Sequence, residues 1–524
     1  MRWCSSPVLQ LGGSQIEDLE RQIEELESRI QEQERSIAAE RTGNSVLLRN
    51  PYASYDASTT AQAQSVWAPF RMPSAQRSED VPLQLRQTLL VTFLPYALEF
   101  GFFLDTADVC NSIMSVSSQS STGTMPVAPA LMYSMFLLAS HLSASSPQVS
   151  ALEPEFLSRA VGSVSQILTS TSQRTETRTS DHPHWKVLQA IQSHVLLAQY
   201  FFLTGRKLEG RYSVTIAVSL VLGTRMHRIR SEEEALQSFG MHRETGRGIH
   251  TGGYTSGSGA QVVNPREETE RINAFWTVLA LNSRWTAIEG NARSSSTIQR
   301  FLANTPDDGH STLALHAKAC ILLEQAFDLV NRYDQSQPSS ATGSSQSAQN
   351  FLGAFNSLIG LTTRFTSELP PVDSVPDSPP STTSSLPRAS NSGSKKRQLL
   401  VIHTLVRVAS IRLYSLFENT NYSGPNERVR THQLKLEAAN EAARMIGLID
   451  GRGVVFIDSV MAMLWPVIAH VLITEIRRLG GRGGYTQVEY QGSFDLISRA
   501  MSGLAPCSTL MSEQLGKMQG SRSM

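Results

Sequence analysis

The residues best suited to metal or nucleophilic chemistry are four cysteines and twelve histidines, and their spacing keeps them apart. Cys4, Cys110, Cys320 and Cys507 form neither a metal-ligand pair nor a disulfide framework. His182 and His184 flank Pro183, and His316 stands four residues before Cys320, a spacing that shares one helical face. Two ligands fall short of the four that zinc takes, so these residues read as ordinary core or surface. Gly246-x-Gly248 and the Gly480–Gly484 cluster lack a preceding strand and a following Lys-Ser/Thr, and read as loops instead of phosphate cradles. Asp307-Asp308 beside Pro306 reads as turn chemistry. No Gly-x-Ser-x-Gly is present, and no enzyme is expected.

Basic residues offer one further cluster. Lys395, Lys396 and Arg397 close a Ser/Pro/Thr-rich stretch, as a nuclear import signal would; a solvated loop cluster reads equally well. Ser378-Pro379 in the same stretch fits a proline-directed kinase. Lys+Arg and Asp+Glu are both 46, so no overall basic field marks a nucleic-acid binder. The first residues hold no apolar signal core. Residues 454–474 are apolar but carry Asp458, Pro466 and His470, which argues for a buried helix and against a membrane span.

The elements that must position these residues begin with a heptad. Ile16, Ile23, Ile30 and Ile37 recur seven apart, with Leu19 and Leu26 three residues after the first two. Ile at a and Leu at d favour two parallel strands, and Ser14 with Glu17 forms a capping box. Arg29 at g would face Glu34 of a partner chain. The stripe is narrower than a globular core face, although Gln33 at d and only about four heptads make it a weak zipper alone.

The chain then divides into a tail over 1–13, a dimerising coil over 14–39, a linker over 40–80, a body over 81–510 and a tail over 511–524. Polar insertions are expected near 240–265, 335–350 and 370–397. Within the body, periodicity predicts helices over 129–142, 153–168, 184–204, 209–229, 267–289, 312–333, 351–369, 399–417, 434–449, 454–479 and 494–504. The pair 184–204 and 209–229, joined by a turn containing Gly205, predicts an αα-hairpin with Tyr212, Ile216, Leu220 and Gly223 on one face and Ala217 and Val221 beside them. In 267–289, Ile272, Phe275, Trp276, Leu279 and Trp285 line one side, with Arg271 and Arg284 elsewhere. No strand series is visible. The expected fold is all-α: a parallel coil, then a large irregular helical domain with disordered insertions.

Two segments carry a likeness. One is Glu209-Gly-Arg-Tyr212, continued from Ala217 through Gly223 and His227 to Ile229; the other runs from Glu268 through Arg271, Phe275 and Trp276 to Trp285 and Gly290. Together they resemble the middle homology region of fungal binuclear zinc-cluster transcription factors, over about residues 85–480. The sequence departs from that family in three places. The six-cysteine cluster is absent, Asn282 stands where Asp is usual, and Asn291 stands where Pro is common.

The resemblance implies a nuclear regulator of RNA polymerase II transcription, with Tyr212, Gly223, His227, Arg271, Phe275 and Trp276 as the motif core. It implies pairing with itself or a related factor through the coil, and a helical body open to a small-molecule effector. Zinc and DNA enter only if a cluster is supplied, as by a missed upstream exon; the chain itself is expected to hold no cofactor and no membrane. A dimeric scaffold without a cluster, acting by protein contacts, is the alternative.

Overall fold

The computed structural model describes residues 81–115, 126–144, 146–169, 184–226, 229, 265–290, 311–335, 345–374, 391–418, 424–448, 454–480 and 484–523. The heptad residues Ile16, Leu19, Ile23, Leu26, Ile30 and Ile37 lie outside them, as do His182, His227 and Asp307-Asp308.

Among the described residues the fold is helical, without strands. In chain order the helices are α1 (Leu83–Phe93), α2 (Thr106–Met114), α3 (Pro129–Leu142), α4 (Glu153–Thr169), α5 (His184–Leu203), α6 (Lys207–Gly223) and α7 (Pro265–Glu289). They continue with α8 (Thr312–Gln335), α9 (Ser345–Glu368), α10 (Asn391–Glu418), α11 (Pro425–Gly447), α12 (Met461–Leu479), α13 (Gly484–Leu504) and α14 (Thr509–Ser523).

Local chemistry sets many of the ends. Asp105 caps α2 by accepting from the amides of Ala107 (2.8 Å) and Asp108 (3.2 Å). Pro129 and Pro425 begin α3 and α11, where a missing N–H costs nothing. Gly205 (φ 77°) and Gly480 (φ 53°) take the left-handed conformation that ends α5 and α12.

Successive helices pack on one another: α3 on α4 and α5, α5 on α6, α6 on α7, α7 on α8, α8 on α10, α10 on α11, and α11 on α12 and α13. One continuous apolar core runs from Phe103 to Met518. One helical stretch, Gly393–Glu418, is long and apolar enough to cross a membrane, but 78% of its apolar window is buried inside the body. The expected helix over 454–479 begins only at Met461, and its first turns are buried in the core.

Several expectations change. The insertion expected over 370–397 ends sooner, because α10 already begins at Asn391, so Lys395–Arg397 ride on a helix. α9 begins at Ser345, inside the stretch expected to be a loop, and α11 and α13 begin well before residues 434 and 494. The expected tail over 511–524 is largely α14, anchored by buried Leu510, Met511 and Met518. The face of α6 is rotated from the expected one. Gly210, Ser213, Val214, Ala217 and Val221 are buried, while Tyr212 and Gly223 face outward. Small side chains on that face let α6 approach α5 closely, and this outweighs burial of the larger residues beside them.

Candidate functional site

The close approach of α6 to α5 rests on Gly210. A Cβ added there would stand 2.6 Å from Cε1 of Phe202. The Phe202 ring in turn stacks on the Trp285 indole, with centroids 3.7 Å apart and planes 12° apart. Both rings are fully buried, so α5, α6 and α7 meet at one incompressible point. Within the Glu209–Tyr212 motif it is Gly210 that makes this close contact, while Tyr212 is 36% exposed.

On α7, Phe275 and Trp276 are buried side by side, 5.6 Å between ring centroids. Arg271, half-buried one turn earlier, has its Nε enclosed without an acceptor among the described residues. Of the expected motif core, then, the structure joins Phe275 and Trp276 in the interior, keeps Arg271 at its margin and leaves Tyr212 and Gly223 outside it.

Arg284 and Asp458 are the two least exposed charges among the described residues. Arg284 is 3% exposed, and its guanidinium meets the equally buried Asp458 carboxylate at 3.0 Å. Burial lifts the Asp458 carboxyl above its usual range, against the pull of Arg284 and of a hydrogen bond donated by the Val460 amide. Arg284 also donates toward Nε2 of His316 at 3.4 Å. Burial and the neighbouring guanidinium push His316 down to about 3, so it is a neutral acceptor at neutral pH. Burial pushes the Cys320 thiol up to about 12. His316 and Cys320 do share a face of α8, with Cys320 buried and His316 half-buried. Among the described residues no group of three His, Cys, Asp or Glu is placed to hold a metal.

Asp458 belongs to a short segment, residues 454–460, that threads the interior before α12 begins. Phe456 stacks on Phe100 at 4.2 Å and meets Tyr96 edge-on at 6.3 Å. The Val455 amide donates to the Tyr96 hydroxyl (3.2 Å), and the Ser459 hydroxyl donates to the side-chain Oε1 of Gln199 on α5 (3.3 Å). The segment thus ties the α1 region, α5 and α7 together. Its chemistry is that of a fixed, dry ion pair with a neutral imidazole beside it, which suits a joint between helices better than a reaction centre.

The basic triad has a split role. Lys395 is exposed and Lys396 half-buried, but Arg397 is committed. Its Nε donates to Glu99 Oε1 (2.5 Å), its Nη2 donates to the Pro95 carbonyl (2.9 Å), and its guanidinium lies 5.0 Å from the Tyr96 ring centroid. The Ser394 hydroxyl donates to the other Glu99 oxygen at 2.7 Å. Burial raises the Glu99 carboxyl, and Arg397 opposes it. This joint pins the start of α10 to the segment after α1.

No curated protein matches the chain. Residues 92–308, from α1 through α7 and beyond, match the family model described as the fungal specific transcription factor domain, and that family is one of transcription factors, not of enzymes. The match spans both motif segments and the Phe202–Gly210–Trp285 contact, so it agrees with the resemblance read from them: residues 92–308 are similar to the fungal specific transcription factor domain, which belongs to a family of fungal transcription regulators.

Proposed function

We propose that the chain is a nuclear regulator of RNA polymerase II transcription whose helical body is the regulatory part and whose residues 14–39 pair two chains in parallel. The observation that carries this reading is the match over residues 92–308 to a transcription factor domain. The heptad through Ile16, Ile23, Ile30 and Ile37 supports the pairing, with the chain itself or a relative as partner. Cys4 is the sole cysteine before Cys110, so a six-cysteine cluster has no ligands within these residues. DNA would be reached through a zinc cluster encoded upstream or carried by a paired relative. A co-regulator acting by protein contacts alone is the second reading.

The test is to tether the full chain to a reporter promoter through a foreign DNA-binding module. Reporter output that rises or falls by several-fold supports regulation; output equal to the module alone removes it. Sedimentation of the full chain tests pairing. The Ile23→Lys/Leu26→Lys variant should sediment as half the mass of the parent, and an unchanged mass refutes the coil as the pairing element. An upstream reading frame carrying the cluster separates the two readings, since the co-regulator needs none.

A further inference from the structure

His141 closes α3, in the last turn, where a helix terminus favours a cation. Both of its ring nitrogens face acceptors. Nδ1 lies 3.0 Å from Glu153 Oε1 at the start of α4, and Nε2 lies 3.0 Å from the Cys507 carbonyl oxygen. A neutral imidazole has one N–H and one lone pair, so it can satisfy only one of these two contacts. The Tyr200 hydroxyl on α5 also donates to Glu153 Oε1, at 2.7 Å, and the Tyr200 ring meets the imidazole edge-on. This keeps the carboxylate charged and fixes the ring.

Cys507 ends the short turn Ala505–Cys507 from which α14 begins. The next residue, Ser508, donates its hydroxyl to the Leu203 carbonyl at the end of α5 (3.4 Å) and accepts the Met511 amide (3.1 Å). The polar hold of the α3–α5 layer on the root of α14 thus includes one imidazole and one hydroxyl.

We propose that His141 is a protonation-dependent latch that holds the root of the C-terminal helix α14 against α3 and α5, and that losing its proton releases the Cys507 side first. The order follows from the partners. A carboxylate holds a proton on Nδ1 more strongly than a carbonyl holds one on Nε2, so the neutral ring keeps Nδ1–H and turns a lone pair toward the Cys507 oxygen. That contact becomes repulsive while the Glu153 bond survives.

The neighbouring groups leave His141 as the titrating member. Burial pulls the imidazole down, but the hydrogen bond and charge of Glu153 and the Cys507 carbonyl outweigh it, leaving it above 6.5. Burial works to raise Glu153, yet His141 and Tyr200 hold it below its ordinary value. Burial and Glu153 push the Tyr200 hydroxyl up, and burial pushes the Cys507 thiol up, so neither ionises near neutrality. From α1, the Arg86 guanidinium is directed to the Val81 and Ile113 carbonyls, and the single turn Pro147–Ser150 carries no titratable side chain. A raised imidazole means that the latch is fully engaged below pH 6.5 and is lost as pH climbs through the folded-state value.

Amide hydrogen exchange on the full chain, corrected for intrinsic rates, tests this between pH 6 and 9. Protection of amides in 505–512 should fall about tenfold across that interval, the scale of one charge-assisted hydrogen bond. His141→Gln and His141→Phe should abolish the step, and Glu153→Gln should move it to lower pH. A step of equal size in the His141 variants, or none in the parent, overturns the latch. If the variants fail to fold, imidazole NMR on the parent decides. An apparent pKa above 6.5 that coincides with the exchange step supports the latch; a value at or below 6.5 overturns it.

Discussion

Gly210→Ala isolates what holds α5, α6 and α7 together. The new methyl would lie 2.6, 2.8 and 2.9 Å from Cε1, Cδ1 and Cζ of Phe202. Carbon atoms rest at about 3.5–4.0 Å, so ring or helix must move by about 1 Å. The ring has nowhere to go, because its other face is stacked on Trp285 at 3.7 Å and both are fully buried. Overpacking of this kind costs about 1–3 kcal/mol. Against it stands the helical preference of Ala over Gly, about 0.5–1 kcal/mol. The clash wins, and the variant should be about 1–2 kcal/mol less stable. Urea unfolding of the full chain, followed by circular dichroism, measures it. Gly162→Ala in α4, with nothing within 4 Å of its Cβ, is the control and should gain about 0.5–1 kcal/mol. In a Phe202→Leu background the Gly210→Ala penalty should largely vanish. A Gly210→Ala chain as stable as its parent, or an equal penalty in both backgrounds, refutes the reasoning.

Three further outcomes follow from the buried charges. Arg284→Met leaves Asp458 without its partner in the interior and should cost about 3–5 kcal/mol in urea unfolding, while adding Asp458→Leu should recover most of that loss. Arg397→Ala should cost about 3 kcal/mol by stranding Glu99, whereas Lys395→Ala should stay within about 0.5 kcal/mol. The third concerns acid. His432 bridges Glu418 (2.7 Å) and Glu475 (3.1 Å), with Lys435 on the first and Arg478 on the second. Burial works to raise Glu418, but Lys435 and His432 hold it low; hydrogen bonds from Arg478 hold Glu475 low. A depressed carboxyl stabilises the fold above its ordinary value of 4.5 and loses that contribution as pH falls through the folded value. Glu475→Gln should therefore flatten the pH dependence of the urea midpoint below pH 4.5, and an unchanged slope would remove the bridge as its source.

The helix 184–204 was legible because Leu188, Ile191, Val195 and Phe202 recur at helical spacing and are indeed buried. Helix starts rich in Ser, Gln and Gly, as at Ser345, Asn391 and Gly484, carry too few apolar residues for a period to show. α14 was missed for the same reason, since its anchors Leu510, Met511 and Met518 are sparse. On α6 the buried stripe runs through Gly210, Ser213, Val214, Ala217 and Val221, so Ala217 and Val221, expected beside the face, lie in it while Tyr212 and Gly223 do not. Gly210 in the first turn of the helix was the available signal, since a glycine there costs helix stability unless a close approach needs it. Arg284 was invisible because its partner, Asp458, sits far along the chain, and a lone arginine in a pattern reads as surface.

The same pair bears on where the helical unit ends. The family match stops at residue 308, yet the charge at the heart of the matched segment is neutralised by Asp458 and hydrogen-bonded by His316, both outside it. α8, which carries His316, packs on α7 and in turn on α10. The segment bearing Asp458 also carries Phe456 against Phe100 and Ser459 against Gln199, inside the match. A buried arginine tolerates no half-measures: either its carboxylate is in place or the interior around it must open. The matched and unmatched stretches are thus joined at several buried contacts, the Arg284–Asp458 pair among them, and a displacement at the start of α12 has a physical path to α7.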